Sequence, residues 1–210
     1  MLPAEIPLFP LSNVVLFPAA LLPLHIFEPR YRAMVGDALD GERLIGMVML
    51  RPGWETQYEG TPGVYPVGCA GFITHADRLP DGRYNIVLRG LEKFRILHER
   101  RARDGSEIYR VARIESIVEA AAHRTSAALH EARKRLERLI AKRLHRTPDE
   151  SIPKDIADED LVHAIAQHLE PLEKQALLEC DGLLHRCHTL IELLEMRMMG
   201  AAPGGKTRMH

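Results

Sequence analysis

Apolar residues crowd the first twenty-seven positions of this chain, MLPAEIPLFPLSNVVLFPAALLPLHIF, yet Pro3, Pro7, Pro10, Pro18 and Pro23 interrupt them. Each proline costs about 3 kcal/mol inside a helix, because it removes a backbone donor and its ring clashes with the preceding turn. The run therefore predicts short extended pieces at 6–11, 14–17 and 21–26, with turns at Ser12-Asn13 and Pro18-Ala19-Ala20. A secretory leader would begin with positive charge, whereas the first ionisable side chain here is Glu5 and the first arginine is Arg30, so the segment is expected within the folded protein. Glu28-Pro29 then opens a predicted helix. Proline suits its first position, Tyr31, Met34, Val35, Ala38 and Leu39 share one face, and Gly41 ends it.

Through residue 117 the alternation predicts further strands at 44–50, 65–74, 84–88, 92–97 and 108–117, with Pro80-Asp81-Gly82 and Asp104-Gly105 as hairpin turns. From Thr125 the period changes. Leu129, Ala132, Leu136, Leu139, Ile140 and Leu144 recur at helical spacing and predict one long amphipathic helix. Shorter helices are expected from near Asp158, Leu172 and Asp181, after a loop at 147–156 that carries Pro148 and Pro153. The result is an α+β chain: a β part over 1–120, a helical part over 121–199, and a flexible tail over 200–210.

Several segments go further. PLFPL (7–11), VLFP (15–18) and LHIFEPRY (24–31) with Met34 following, then VGCA (67–70), PDGRY (80–84) and VLRGLEKF (87–94), occur in that order. Together they resemble the LON amino-terminal domain, the substrate-engaging domain of ATP-dependent Lon protease that is also found in cereblon. The resemblance runs from about Ile6 to Met198. It implies a PUA-like β pseudo-barrel followed by a C-terminal helical subdomain, and an ability to bind unfolded or hydrophobic polypeptide segments. In full Lon proteases the ATPase and the serine-lysine peptidase are separate downstream domains, so the resemblance implies a non-enzymatic module with no cofactor.

Composition is that of an ordinary globular chain: 210 residues, 46% hydrophobic and 27% charged, enough to bury a sizeable core. Cys69, Cys180 and Cys187, without an export signal, make a reducing cytoplasm the expected location. No apolar run is long and unbroken enough to span a bilayer. The net charge of −1 argues against a protein devoted to coating nucleic acid, but it hides an asymmetry. Residues 124–146 hold eight Lys/Arg against Glu131 and Glu137, and residues 147–200 hold twelve Asp/Glu against four Lys/Arg. The plain reading is a basic helix packed beside acidic ones. The sharper reading is a basic docking surface, and because PUA-like barrels often bind RNA, Arg95, Arg100, Arg101 and Arg103 could extend it.

Candidate chemistry is sparse. Residues 200–207, GAAPGGKT, match the phosphate-loop pattern literally, but that loop needs a strand before it and a helix after it. Cys180, His185, Cys187 and His188 cluster without the usual spacing for zinc, so buried thiols are expected rather than a metal site. No serine sits in a nucleophile elbow, and no catalytic residue is assigned, although a site assembled in three dimensions would escape a reading of spacing. The remaining candidate is the loop RPGWETQYEGTPG at 51–63. Trp54 and Tyr58 could form an adhesive, peptide-binding tip, or Trp54 could fold back over the core.

Overall fold

The computed structural model describes residues 2–57, 61–100, 108–119, 127–145 and 156–200. Two compact units divide the chain, one formed by Met1–Glu119 with Gln167–Glu179 and the other by Ala120–Ala166 with Cys180–His210. The segment at 167–179, expected within the helical part, thus groups with the strands.

The first unit is a six-stranded mixed sheet: β1 (Glu5–Leu11), β2 (Leu21–Ile26), β3 (Leu44–Met49), β4 (Val67–Arg78), β5 (Tyr84–Arg100) and β6 (Arg110–Ile117), ordered β2-β5-β4-β3-β1-β6. β6 also pairs with β5, so the ladder that leaves β5 through β4, β3 and β1 returns to it. β5 can serve three neighbours because it is long and shares register shifts with β4 and β6, and such irregularities bend and coil a strand.

The prolines that exclude a helix also fit this pairing. β1 pairs antiparallel with β6 over Glu5 to Leu8 and parallel with β3 over Leu8 to Leu11, so Pro7 and Pro10 each lie where only one flank of the strand carries a ladder. Pro23 lies in β2, at the edge of the sheet. The PDG turn forms as expected: Gly82 takes φ +81°, its N–H donates to Leu79 O at 2.9 Å, and Leu79 N–H donates to Arg83 O at 2.8 Å. The Asp104-Gly105 turn falls outside the described residues.

Two expectations need correction. Residues 14–17 do not form a strand; Val15, Leu16 and Phe17 are buried in a loop that turns at Ala19, because a continuous apolar run reports burial rather than a ladder. Residues 84–88 and 92–97 belong to one strand. Gly90, between them, lies inside β5, and a Cβ there would run into the carbonyl oxygen of Phe17.

α1 (Pro29–Asp40) packs against β1 and β3 and buries Tyr31, Met34, Val35 and Ala38, with the Tyr31 ring 4.3 Å from that of Phe9. The core centres on Ile6, Leu8, Val48, Val64, Phe94 and Ile114. A second helix of this unit, α4 (Pro171–Glu179), touches β4, where buried Gln175 donates to Val67 O at 3.0 Å.

In the other unit α2 (Ala127–Leu144) and α3 (Asp158–Ala166) each pack on α5 (Gly182–Gly200). Leu129, Ala132 and Leu136 of α2, Leu161 and Val162 of α3, and Cys187, Leu190 and Ile191 of α5 are buried. Leu144, the last residue of the expected α2 stripe, is exposed. No helix among the described residues is long and apolar enough to cross a membrane.

Candidate functional site

The loop at 51–63 leaves the end of β3 and is pinched where it begins and ends. Leu50 bridges Val64, Arg51 N–H donates to Gly63 O at 2.8 Å, and Tyr65 N–H donates to Met49 O at 2.9 Å. A third tie comes from β6, whose Arg110 donates to Pro62 O at 2.9 Å while a fork of two bonds, 2.8 and 2.7 Å, holds its guanidinium on Glu99. Within the loop Gly53 takes φ +87°, a conformation other residues resist, and a single 3-10 turn follows over Trp54–Gln57.

That turn sets the position of the tryptophan. Trp54 is half-buried and packs against the cluster that contains Ile6, Leu8, Val48 and Phe94. The core therefore fixes part of the indole, and the remainder is accessible. Tyr58, its expected companion, lies outside the described residues. Sequence reasoning missed Arg110 and Glu99, which fix the far end of the loop; their separation along the chain gives no local signal.

Three arginines of α2 have acidic partners. On α2, Arg133 bonds Glu137 at 2.8 Å, Asp158 of α3 at 2.5 Å and the carbonyl of Ile156 at 2.7 Å. Those acceptors hold the Arg133 pKa above its ordinary value, the Asp158 hydrogen bond most of all. Arg135 bonds Glu195 of α5 at 2.7 Å, and Arg138 lies 3.4 Å from Glu131. Among the arginines weighed for RNA, Arg95 is exposed and Arg100 lies 3.6 Å from Glu5, while Arg101 and Arg103 fall outside the described residues.

Around the cysteine and histidine cluster, the Cys180 thiol lies 3.4 Å from the Thr189 hydroxyl, and His185 Nδ1 accepts from Asp181 N–H at 3.4 Å. Cys187 is buried and His188 exposed. Burial, with a smaller push from the Asp158 carboxylate, raises the Cys187 thiol to about 11. A thiol so raised is a poor nucleophile and a poor metal ligand at neutral pH. Among the described residues no three His, Cys, Asp or Glu side chains are grouped to hold a metal ion. Of the phosphate-loop match, only Gly200, the last residue of α5, is described.

The family model of the ATP-dependent protease La (LON) substrate-binding domain matches residues 5–196. This chain belongs to that family. It is 28% identical over 209 residues to a Lon protease of Anaeromyxobacter dehalogenans, covering 93% of this chain and 24% of the relative. It is 30% identical over 189 residues to Lon protease 2 of Syntrophobacter fumaroxidans, covering 85% and 22%. The chain thus spans about a quarter of the length of these relatives. The match is to the substrate-binding domain. Two solved structures share the fold. The Lon N-terminal domain protein from Xanthomonas campestris has TM-score 0.63 at 23% identity, covering 90% of this chain and 97% of that one. The N-terminal domain of the Mycobacterium avium complex Lon protease has TM-score 0.65 at 17% identity, covering 91% and 98%.

Proposed function

We propose that this chain is a non-catalytic polypeptide-binding module that acts as an adaptor in cytoplasmic protein quality control. The observation that carries the reading is the substrate-binding family match across residues 5–196. On this reading the circuit of strands from β5 through β4, β3, β1 and β6 serves as a PUA-like pseudo-barrel, and the loop whose sequence carries Trp54 and Tyr58 is its binding tip. An indole with one part fixed by the core and another accessible is well prepared to bind, since little side-chain entropy is lost when an apolar segment covers it. Exposed Leu97 and Ile108, on and beside the same strands, add apolar surface.

Titration with a reduced, denatured model protein tests this, with Trp54 emission as the reporter. Emission should shift on binding, and Trp54→Ala should weaken capture by about 1–2 kcal/mol, the scale of an interface hot spot. Trp54→Phe, which keeps an aromatic ring on the core, separates lost binding from lost folding when both variants are checked for thermal midpoint. Tyr58→Ala should add less than its own single effect, because neighbouring contacts are seldom independent. If the wild type captures no denatured chain, the reading fails. If it captures one and all three variants do so equally well, the surface lies elsewhere.

A further inference from the structure

A cavity of about 210 Å³ opens in the β unit beside β1, α1 and the start of β6. Ile6, Leu44 and Val111 are among the apolar residues that line it, and Glu5, Asp37 and Glu42 supply carboxylates, with no lysine, arginine or histidine among the described residues of the lining. Tyr109 reaches across from just before β6 and donates its hydroxyl to Asp37 Oδ2 at 2.6 Å, which orients that carboxylate. Glu5 is shared with Arg100 at 3.6 Å, whereas among the described residues neither Asp37 nor Glu42 is paired with a cation.

We infer that this cavity receives the side chain of a lysine or arginine in the polypeptide that the module binds; the inference rests on the polypeptide-binding reading above. Size points to one side chain, because the cavity falls below the roughly 300–1,000 Å³ typical of small-molecule sites. The carboxylates are not grouped tightly enough to hold a metal ion, so a bare cation does not satisfy them. A cation carried on an aliphatic stem does. Its methylenes lie on the apolar lining and its charged head meets the carboxylates. Three carboxylates with no cation among the described lining residues favour that occupant over an acidic or purely apolar side chain.

The test uses two end-labelled, otherwise identical extended apolar peptides, one with a single central arginine and the other with citrulline, its neutral near-isostere. Anisotropy titrations against the full chain should give an affinity about fivefold tighter for the arginine peptide, the upper range for a solvent-accessible ion pair. Asp37→Asn combined with Glu42→Gln should reduce that preference to less than about twofold and leave the citrulline peptide unchanged. Both residues are exposed, and asparagine keeps an oxygen for Tyr109, so the fold is retained. Equal affinity of wild type for the two peptides, or a preference that survives the double variant, overturns the inference and leaves polypeptide binding intact. A wild type that captures neither peptide nor denatured protein removes both readings.

Discussion

The two units of this chain are stabilised by different means. In the β unit the core is apolar and close enough that glycines are structural requirements. A Cβ at Gly68 would strike the Met47 carbonyl, one at Gly90 the Phe17 carbonyl, and one at Gly46 would lie 2.9 Å from the Phe94 ring. Its one buried cation among the described residues, Lys93, is matched by Glu119 at 2.7 Å. In the helical unit, fully buried Arg186 lies 3.5 Å from buried His163 inside the apolar seam, and Arg133 ties α2 to α3. The β unit should therefore fail through changes of volume. The helical unit should fail through changes of charge and protonation.

Two substitutions test the first half of that contrast. Phe94 is fully buried, and its ring lies where a Cβ at Gly46 or Gly68 would fall. Phe94→Ala should cost about 4 kcal/mol in denaturant unfolding, as large aromatic truncations do. Gly90→Ala should cost about 3 kcal/mol, since backbone rather than a flexible side chain stands in the way. A loss under 1 kcal/mol for both would mean that the core adapts, and the contrast would collapse.

The sequence made these units unequally legible. The prolines of the first segment, the PDG turn and the period change near residue 125 each act locally, so strands, turn and α2 could be read from neighbouring residues. Gly90 could not, because the atom that demands a glycine there belongs to Phe17, more than seventy positions earlier. The same limit governs the site. Trp54 and Tyr58 stood out as aromatics in a loop, and the half-buried packing of Trp54 depends on core residues from β1, β3 and β5. Asp37, Glu42 and Tyr109 carry no shared motif; folding brings them to one cavity.

The third prediction concerns protonation. Burial first, and the nearby Arg186 charge second, lower His163 from its ordinary 6.5 to about 3. Between those values the unfolded chain binds a proton that the folded chain refuses. Stability from this residue is therefore complete above pH 6.5 and declines as pH falls, by at most about 1.4 kcal/mol per pH unit and about 2 kcal/mol by pH 5. His163→Gln, which keeps an acceptor for Arg186, should be less stable at pH 7 but should lose that slope. Parallel pH profiles for wild type and variant would mean that the helical unit is no more proton-sensitive than the β unit.

The smallest expected effect sharpens the contrast further, because it separates charges that organise the helical unit from charges that only decorate it. Arg135 bonds Glu195 at 2.7 Å across α2 and α5, yet its side chain is 57% exposed, whereas Arg133 is 15% exposed and has three acceptors. Water and salt screen the first pair, and ordering two long side chains offsets most of its attraction. A double-mutant cycle over Arg135→Ala and Glu195→Ala should give a coupling of about 0.3–0.5 kcal/mol that fades in 1 M salt. The same cycle over Arg133→Ala and Asp158→Ala should give a larger coupling, about 1 kcal/mol or more, that persists at high salt because the guanidinium is sheltered and its bonds to Glu137 and Ile156 hold its orientation. Equal couplings with equal salt dependence would place both arginines in the surface class and leave His163 and Arg186 as the charged element that distinguishes the helical unit from the β unit.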